Sequence, residues 1–324
     1  MNDLSNLFKE FNEDISLSES YKQKIRTGRD AIRVKIDNFF LKENLKKPDH
    51  YTQGSYPMHT AILPLEDEDF DLDNGVYLNG YNDDQSTWPS VSTVHNLIKN
   101  AVEGHTKEVI DKNTCVRVVY QDNYHIDLPI YIMGKDDNGD EVAYLAHKTE
   151  GWIISDPRAF RDWFNTSVKE TDDRQLRRVV KYLKQWSHFN DIDISGMVIT
   201  ILASENFSSD ADDAQTLLAI ITDILDKLED KFECFKPVRP TDENLLSNYG
   251  YFQQESVLKS IKNLKDKLAE SIFESENQKD SSIILRELFG ASRFPLGDAT
   301  KKNSEDYLET DSPEQIGKKN RHYA

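Results

Sequence analysis

The chain has 324 residues, 40 basic and 58 acidic side chains, and a net charge of -18. This charge disfavours broad binding to nucleic acid or to an anionic membrane, and no apolar run is long enough for a membrane span. Cys115 and Cys234 stand alone, which argues against a zinc site or a disulfide scaffold. The N-terminus has no signal-peptide pattern, so we expect a cytoplasmic protein.

The N-terminal part combines a long helix with a phosphate-compatible turn. Residues 1–15 are expected to be weakly structured, and the capping box Ser16–Glu19 predicts a long amphipathic helix over about 17–40. A strand then leads to Gly54-Ser55. Glycine allows close approach of the backbone, and serine offers a hydroxyl and an N–H to a phosphate oxygen.

The segment FDLDNGVYL has the alternation of a strand. Asp71 and Asp73 would therefore share one face, with Phe70 and Leu72 on the other. Carboxylates that close repel each other unless a cation lies between them, and Mg²⁺ prefers such oxygens together with phosphates. From the spacing alone, a metal–phosphate site and a solvated acidic loop remain equal alternatives.

The middle of the chain supplies a third carboxylate. A helix is predicted over 91–110, and strands over 115–120 and 124–132 flank a turn at 121–123. Asp127 stands among apolar strand residues, where a carboxylate needs a partner or a metal. If its strand lies beside the strand of Asp71 and Asp73, Asp127 would complete a three-carboxylate cluster.

From about residue 150 the pattern becomes mostly helical. Helices are predicted over about 171–188, 195–206, 211–233, 252–274 and 279–290. The first of these has an apolar face opposite a row of cations, made of Arg174, Arg177, Lys181 and Lys184. Such a row would suit a triphosphate, and a salt-bridged surface helix is the alternative.

The Gly-Ser turn, the Asp-x-Asp strand and the later acidic strand, in this order, resemble the polymerase-β-like nucleotidyltransferase superfamily. Three stretches further resemble bacterial CD-NTases of the DncV type, the cyclic-oligonucleotide synthases of CBASS antiphage defence. These stretches are QGSYPMHTAILPL leading into FDLDNGVYL, YHIDLPIYI, and RRVVKYLKQW followed by ISGMVITIL.

The resemblance implies an α+β fold with the active site in a cleft between two lobes. Residues 1–160 would form a nucleotidyltransferase core lobe, a mixed sheet flanked by helices that includes the long N-terminal helix. Residues 161–295 would form a helical lobe. Residues 296–324 would be a flexible acidic tail that ends in a short basic segment.

The resemblance also implies an activity and its residues. The protein would join NTPs, with ATP and GTP as the preferred pair, into a 3′,3′ cyclic dinucleotide. It would use two Mg²⁺ ions as cofactors, which Mn²⁺ can replace. The implied catalytic residues and metal ligands are Asp71, Asp73 and Asp127. The implied substrate-binding residues are Gln53, Gly54, Ser55, Lys184 with Lys181 as its alternative, and Ser195.

Several alternatives stay open. Asp69 also forms an Asp-x-Asp pair with Asp71 and could replace Asp73. The alternative functions are an RNA- or tRNA-end nucleotidyltransferase, which the net charge disfavours, a synthase of another cyclic or linear oligonucleotide, and an inactive nucleotide-binding module.

The resemblance implies partners as well. A downstream effector would read the product, and CBASS accessory proteins would include a ubiquitin-transfer-like enzyme acting at Ala324. A frayed C-terminus is the alternative for that last residue. Neither a long nucleic acid nor a membrane is expected as a partner.

Overall fold

The computed structural model describes residues 3–65, 68–121, 123–171, 174–208 and 212–300. Its helices are α1 (Ser5–Asp14), α2 (Glu19–Lys42), α3 (Val91–Val102), α4 (Pro157–Glu170), α5 (Gln175–Phe189), α6 (Gly196–Glu205), α7 (Asp213–Asp230), α8 (Tyr251–Phe273) and α9 (Gln278–Phe289). Its strands are β1 (Asp49–Thr52), β2 (Phe70–Leu78), β3 (Glu108–Asp111), β4 (Cys115–Tyr120), β5 (Tyr124–Lys135), β6 (Glu141–His147) and β7 (Gly151–Ile154).

The strands form a mixed sheet in the order β1-β2-β5-β4-β3, and β6 and β7 continue it from the far end of β5. Strands β2 and β5 are parallel, and the other pairs are antiparallel. β5 is buried along almost its whole length because it has a neighbour on each side and helices over one face. The predicted α+β class, a mixed sheet flanked by helices, is confirmed.

The predicted long helix forms as α2 and packs on the sheet, but it begins at Glu19 with Ser18 as its N-cap, so the predicted capping box of Ser16 and Glu19 does not form. The hydroxyl of Ser18 accepts a hydrogen bond from the backbone N–H of Tyr21 at 3.2 Å, which satisfies a free donor of the first turn. Its buried side chains pack with those of α3 and the sheet, and they are Ile25, Ile32, Ile36 and Phe40. The acidic strand β2 therefore rests on a rigid layer.

Helices α4 to α9 share a second apolar core. The predicted apolar face of α5 is buried in it, with Leu176, Val179, Val180, Leu183 and Trp186 all at most 3% exposed. No helix in the described ranges is both long enough and apolar enough to cross a bilayer.

The N-terminus corrects one expectation. Residues 1–15 were expected to be weakly structured, yet residues 5–14 form α1, whose Phe8 and Phe11 are fully buried in the helical core. These rings pack against Tyr182 of α5 with centroids 5.2 Å apart in both pairs. α1 thus packs with the helices rather than with the sheet, while the domain bounds at 160 and 295 stay a prediction.

A second expectation was wrong in part. The helix predicted over 91–110 ends at Val102, and Glu108–Asp111 form the edge strand β3 instead. Gly104 has a positive φ of +68°, which breaks the helix, and Val109 and Ile110 are β-branched residues that pair with β4. Of the predicted tail, residues 301–324 lie outside the described ranges.

Candidate active site

The acidic residues of β2 and β5 converge as predicted. Asp71 and Asp73 share one face of β2, while Phe70 and Leu72 are buried on the other face. The parallel register places Asp73 directly beside Asp127 of β5. The predicted adjacency of the two acidic strands is confirmed.

The described residues include one group of side chains that could hold a metal ion. Asp71, His125 and Asp127 offer ligand atoms that all lie within 4.8 Å of one another. His125 is the register partner of Asp71 and contacts its carboxylate through Nε2. Burial, reinforced by the charges of Asp127 and Asp71, raises the pKa of Asp73 to about 6. Carboxylate oxygens with an imidazole form a donor set that suits a divalent cation.

Strand β4 adds a cation to this face. Arg117 pairs with Asp127 in the antiparallel register. Its guanidinium donates to both oxygens of Asp127, each at 2.7 Å, and to Oδ1 of Asp71 at 2.9 Å. Burial opposes the charge of Arg117, but these carboxylates hold its pKa above the usual range.

Sequence reasoning missed both Arg117 and His125. The signal was available for Arg117, because an arginine in CVRVVY is as unusual in an apolar strand as the aspartate in YHIDLPIYI. His125 lies two residues before Asp127, so it shares that residue's face of the strand.

The Gly-Ser turn is docked on the acidic strand. The backbone N–H of Gln53 donates to the carbonyl oxygen of Asp73 at 2.9 Å. Gly54 has a φ of +69°, and a Cβ built on it would lie 2.8 Å from Oδ2 of Asp73. Glycine is therefore needed here both for its backbone conformation and for the close approach of the carboxylate.

The side chain of Gln53 is held beneath this turn. It is 5% exposed, donates from Nε2 to the hydroxyl of Tyr77 at 3.0 Å, and accepts from the hydroxyl of Tyr131 at 3.2 Å. The structure therefore gives Gln53 a supporting position under the turn.

An open cavity of about 480 Å³ lies between the sheet and α5. The turn, the acidic strand and α5 all contribute to its lining. The polar residues that line it are Ser55, Thr60, Glu68, Asp69, Asp71, Lys184 and His188. Three of the predicted site residues, from distant parts of the sequence, thus line one cavity.

Lys184 lines this cavity and also lies beside the N-terminal end of α6. Its Nζ donates to Oγ1 of Thr60 at 3.2 Å, and burial lowers its pKa to about 8. A Cβ built on Gly196 would lie 3.3 Å from Cε of Lys184. Ser195 caps α6, with its hydroxyl accepting from the N–H of Val198 at 3.2 Å. A lysine beside a helix N-terminus is a favourable surrounding for phosphate.

Lys181 points elsewhere. Its Nζ donates to Oγ of Ser16 at 2.8 Å, and burial lowers its pKa to about 8. It lines a different cavity, of about 530 Å³, together with the α2 cations Lys22, Arg26 and Arg29. Two members of the predicted row of cations therefore line different cavities, and Lys184 is the one that shares a cavity with Asp71.

Residues 48–131, which run from β1 into β5, match the family model described as "Cyclic GMP-AMP synthase DncV-like, nucleotidyltransferase domain". This segment is therefore similar to the nucleotidyltransferase domain of DncV-like synthases. The matched segment contains the Gly-Ser turn, both acidic strands and Arg117.

Two curated relatives are named as synthases of cyclic dinucleotides. A cyclic GMP-AMP synthase of Escherichia albertii is 26% identical over 226 residues, which cover 64% of this chain and 49% of the relative. A c-di-GMP synthase of Roseivirga ehrenbergii is 22% identical over 227 residues, which cover 60% of this chain and 59% of the relative. The chain thus spans about half the length of these relatives.

The fold is also that of a solved DncV structure. The crystal structure of Vibrio cholerae DncV cyclic AMP-GMP synthase with the linear intermediate 5′ pppA(3′,5′)pG has a TM-score of 0.73 to this chain at 18% identity. The superposition covers 90% of this chain and 95% of that chain. At this identity the likeness concerns the fold, which here includes both the sheet and the helical part.

Proposed function

We propose that the chain is a cyclic-dinucleotide synthase that joins ATP and GTP into a 3′,3′ ring in CBASS antiphage defence. The observation that carries the proposal is the placement of Asp71, Asp73 and Asp127 on two adjacent parallel strands, with Asp71 lining the same cavity as Lys184. Carboxylates on one side and a lysine on the other suit a metal-bound triphosphate. The match of residues 48–131 to the DncV-like nucleotidyltransferase domain supports the same chemistry.

The donor set of the acidic face fits divalent cations. Asp71 and Asp127, which belong with His125 to the group that could hold a metal ion, would together with the neighbouring Asp73 hold two Mg²⁺ ions, which Mn²⁺ can replace. Bound there, the ions would neutralise phosphate charge and make the attacking ribose hydroxyl more acidic. Burial, and after it the like charges of Asp127 and Asp71, raise the pKa of Asp73 to about 6, and a bound cation would favour its charged form.

The chain's own groups would bind and orient the donor NTP. Ser55 would hydrogen-bond a phosphate oxygen, and Gly54 would let the backbone approach it. Lys184 and the α6 N-terminus, which Ser195 caps, would hold the rest of the triphosphate from the opposite side.

Asp127 would accept hydrogen bonding from the acceptor hydroxyl and help to remove its proton. Each transfer would form one bond between that oxygen and the α-phosphorus and break the bond to pyrophosphate. Two transfers at one site would close the ring, with the linear intermediate turning over between them. An open cavity of about 480 Å³ is compatible with such turnover.

A second product is a candidate because one relative is named a c-di-GMP synthase, so GTP alone is the alternative substrate. An RNA-end transferase is disfavoured by the net charge of -18. The proposal also includes a downstream effector and a ubiquitin-transfer-like enzyme acting at Ala324, a residue outside the described ranges.

Incubation of the chain with each labelled NTP, and with pairs of them, in Mg²⁺ or Mn²⁺ tests the proposal. Products that survive phosphatase are expected, because a ring has no terminal phosphate. Asp71→Ala should abolish synthesis while the circular dichroism spectrum stays unchanged. Phosphatase-sensitive chains alone, or near-normal synthesis by Asp71→Ala, would refute the proposal.

A further inference from the structure

We propose that Arg117 is the internal counter-ion of the acidic face: it positions Asp71 and Asp127 before metal binding and releases Asp71 when a divalent cation binds. The inference rests on the proposed function in one respect, namely that these two carboxylates are metal ligands. Arg117 itself has no role in the proposed reaction.

The contacts of Arg117 are unequal, and their inequality indicates which one gives way. Asp127 receives two hydrogen bonds of 2.7 Å from the guanidinium, and its side chain is 11% exposed. Asp71 receives one bond of 2.9 Å, and its side chain is 57% exposed. Bidentate, partly buried pairs are the stronger ones, and exposed single pairs contribute little. The Asp71 contact is therefore the exchangeable one.

Arginine suits this role because its planar guanidinium can span two carboxylates with fixed geometry. Strand pairing fixes the backbone position of Arg117, because this residue is the register partner of Asp127. The contact with Asp71 then reaches across β5 to β2. An ammonium group would bind one point in space and would hold the two acids less firmly.

The consequence is a competition between one positive charge of the protein and the incoming cation. With Arg117 in place, a metal ion must displace an existing contact at Asp71. Without it, the two carboxylates would lose the cation that bridges them, with only His125 left in contact with Asp71, so a divalent cation would bind more tightly. Arg117 would thus raise the concentration of free cation needed to fill the site without nucleotide.

Direct metal titration tests the inference apart from catalysis. Mn²⁺ binding to the full chain without nucleotide would be followed by electron paramagnetic resonance of the free ion. Arg117→Gln is expected to lower the Mn²⁺ dissociation constant about tenfold and to lower the Tm of the metal-free protein. Arg161→Gln is the control, because it makes the same change of charge at an exposed pair with Asp162.

Other results of the Mn²⁺ titration distinguish failure of this proposal from failure of the proposed function. Unchanged or weaker Mn²⁺ binding by a folded Arg117→Gln variant would overturn the proposal. If that variant does not fold, Arg117→Lys decides, because it keeps the charge and loses the fork; it should still bind Mn²⁺ more tightly than the unmodified chain. If the Asp71→Asn variant binds Mn²⁺ as tightly as the unmodified chain does, the metal site itself is refuted, and the proposed function with it.

Discussion

Gly54 and Asp73 are fitted to each other, since a Cβ on Gly54 would stand 2.8 Å from the carboxylate oxygen Oδ2 of Asp73. Gly54→Ala should therefore push this carboxylate out of place in addition to straining a backbone with a φ of +69°. A displacement of about 1 Å at a reacting site can reduce the rate about 100-fold. We expect a loss of that size in the rate of dinucleotide synthesis, measured with labelled NTPs.

Gly104 supplies the matched control. Its φ is +68°, and nothing lies within 4 Å of a Cβ built on it. Gly104→Ala should show the backbone penalty alone, about 1–2 kcal/mol in the free energy of unfolding, with normal synthesis. Equal activities of the two variants would mean that the contact between Gly54 and Asp73 has no part in the reaction.

The second carboxylate of the Asp-x-Asp pair can be identified by isosteric substitution. Asp73 is the register partner of Asp127, whereas Asp69 precedes β2 and is exposed on the cavity wall. Asp73→Asn should therefore reduce synthesis by at least about 1,000-fold, about 4 kcal/mol in the barrier, while Asp69→Asn should leave it within about threefold. Initial rates at saturating Mg²⁺ measure both, and the reverse ranking would assign the role to Asp69.

Local patterns predicted the elements better than the contacts between them. The alternation of FDLDNGVYL and YHIDLPIYI identified both acidic strands, and the period of α5 identified its buried face. α1 was missed because a segment of ten helical residues has little stability alone and depends on burying Phe8 and Phe11 against α5. Such tertiary stabilisation leaves a weak trace in the sequence.

The helical pattern could not distinguish Lys181 from Lys184 for a related reason, and the preference for Lys184 came from the resemblance alone. The two residues are three positions apart and share one side of a helical wheel. What separates them is the surroundings: Ser16, just ahead of α2, accepts from Lys181, whereas Lys184 packs beside Gly196. Those neighbours come from segments distant in the sequence, and the helical periodicity of α5 does not predict where they lie.

The pKa of Lys184, lowered to about 8 by burial, makes its role measurable by proton linkage. At pH 8 the Lys184 side chain is protonated in about half of the molecules, and a bound triphosphate favours the charged form. Binding should therefore take up about 0.5 proton at pH 8, and the uptake should disappear well below pH 7. Calorimetry of a nonhydrolysable NTP with Mg²⁺, in two buffers of different ionisation enthalpy, measures it.

Lys181 is the matched control, because burial lowers its pKa to about 8 as well and it lines the other cavity. Lys184→Gln should abolish the proton uptake and weaken NTP binding. Lys181→Gln should leave both unchanged. Loss of uptake in Lys181→Gln alone would place the triphosphate in the cavity beside α2.

Asp213 at the start of α7 should be a main determinant of stability in the helical part. Burial would raise its pKa, but hydrogen bonds from Arg178, Tyr182 and Gln175 hold the pKa below the usual value. Asp213→Ala removes the charge that these donors share, and such a loss costs about 3–5 kcal/mol in the free energy of unfolding. Tyr182→Phe removes the hydroxyl that bonds both Asp213 and the carbonyl oxygen of Phe8, and should cost about 1–2 kcal/mol.

Chemical denaturation as a function of pH separates this contribution of Asp213 from packing. A carboxylate whose pKa is lower in the folded state stabilises the fold above the unfolded pKa of about 3.9. That stabilisation is lost as the pH falls through the folded pKa. The difference between the unmodified chain and Asp213→Asn should therefore be constant from pH 6 to 8 and shrink below about pH 4. A difference that does not change with pH would mean that Asp213 acts through its shape and its hydrogen bonds, and that its charge contributes nothing.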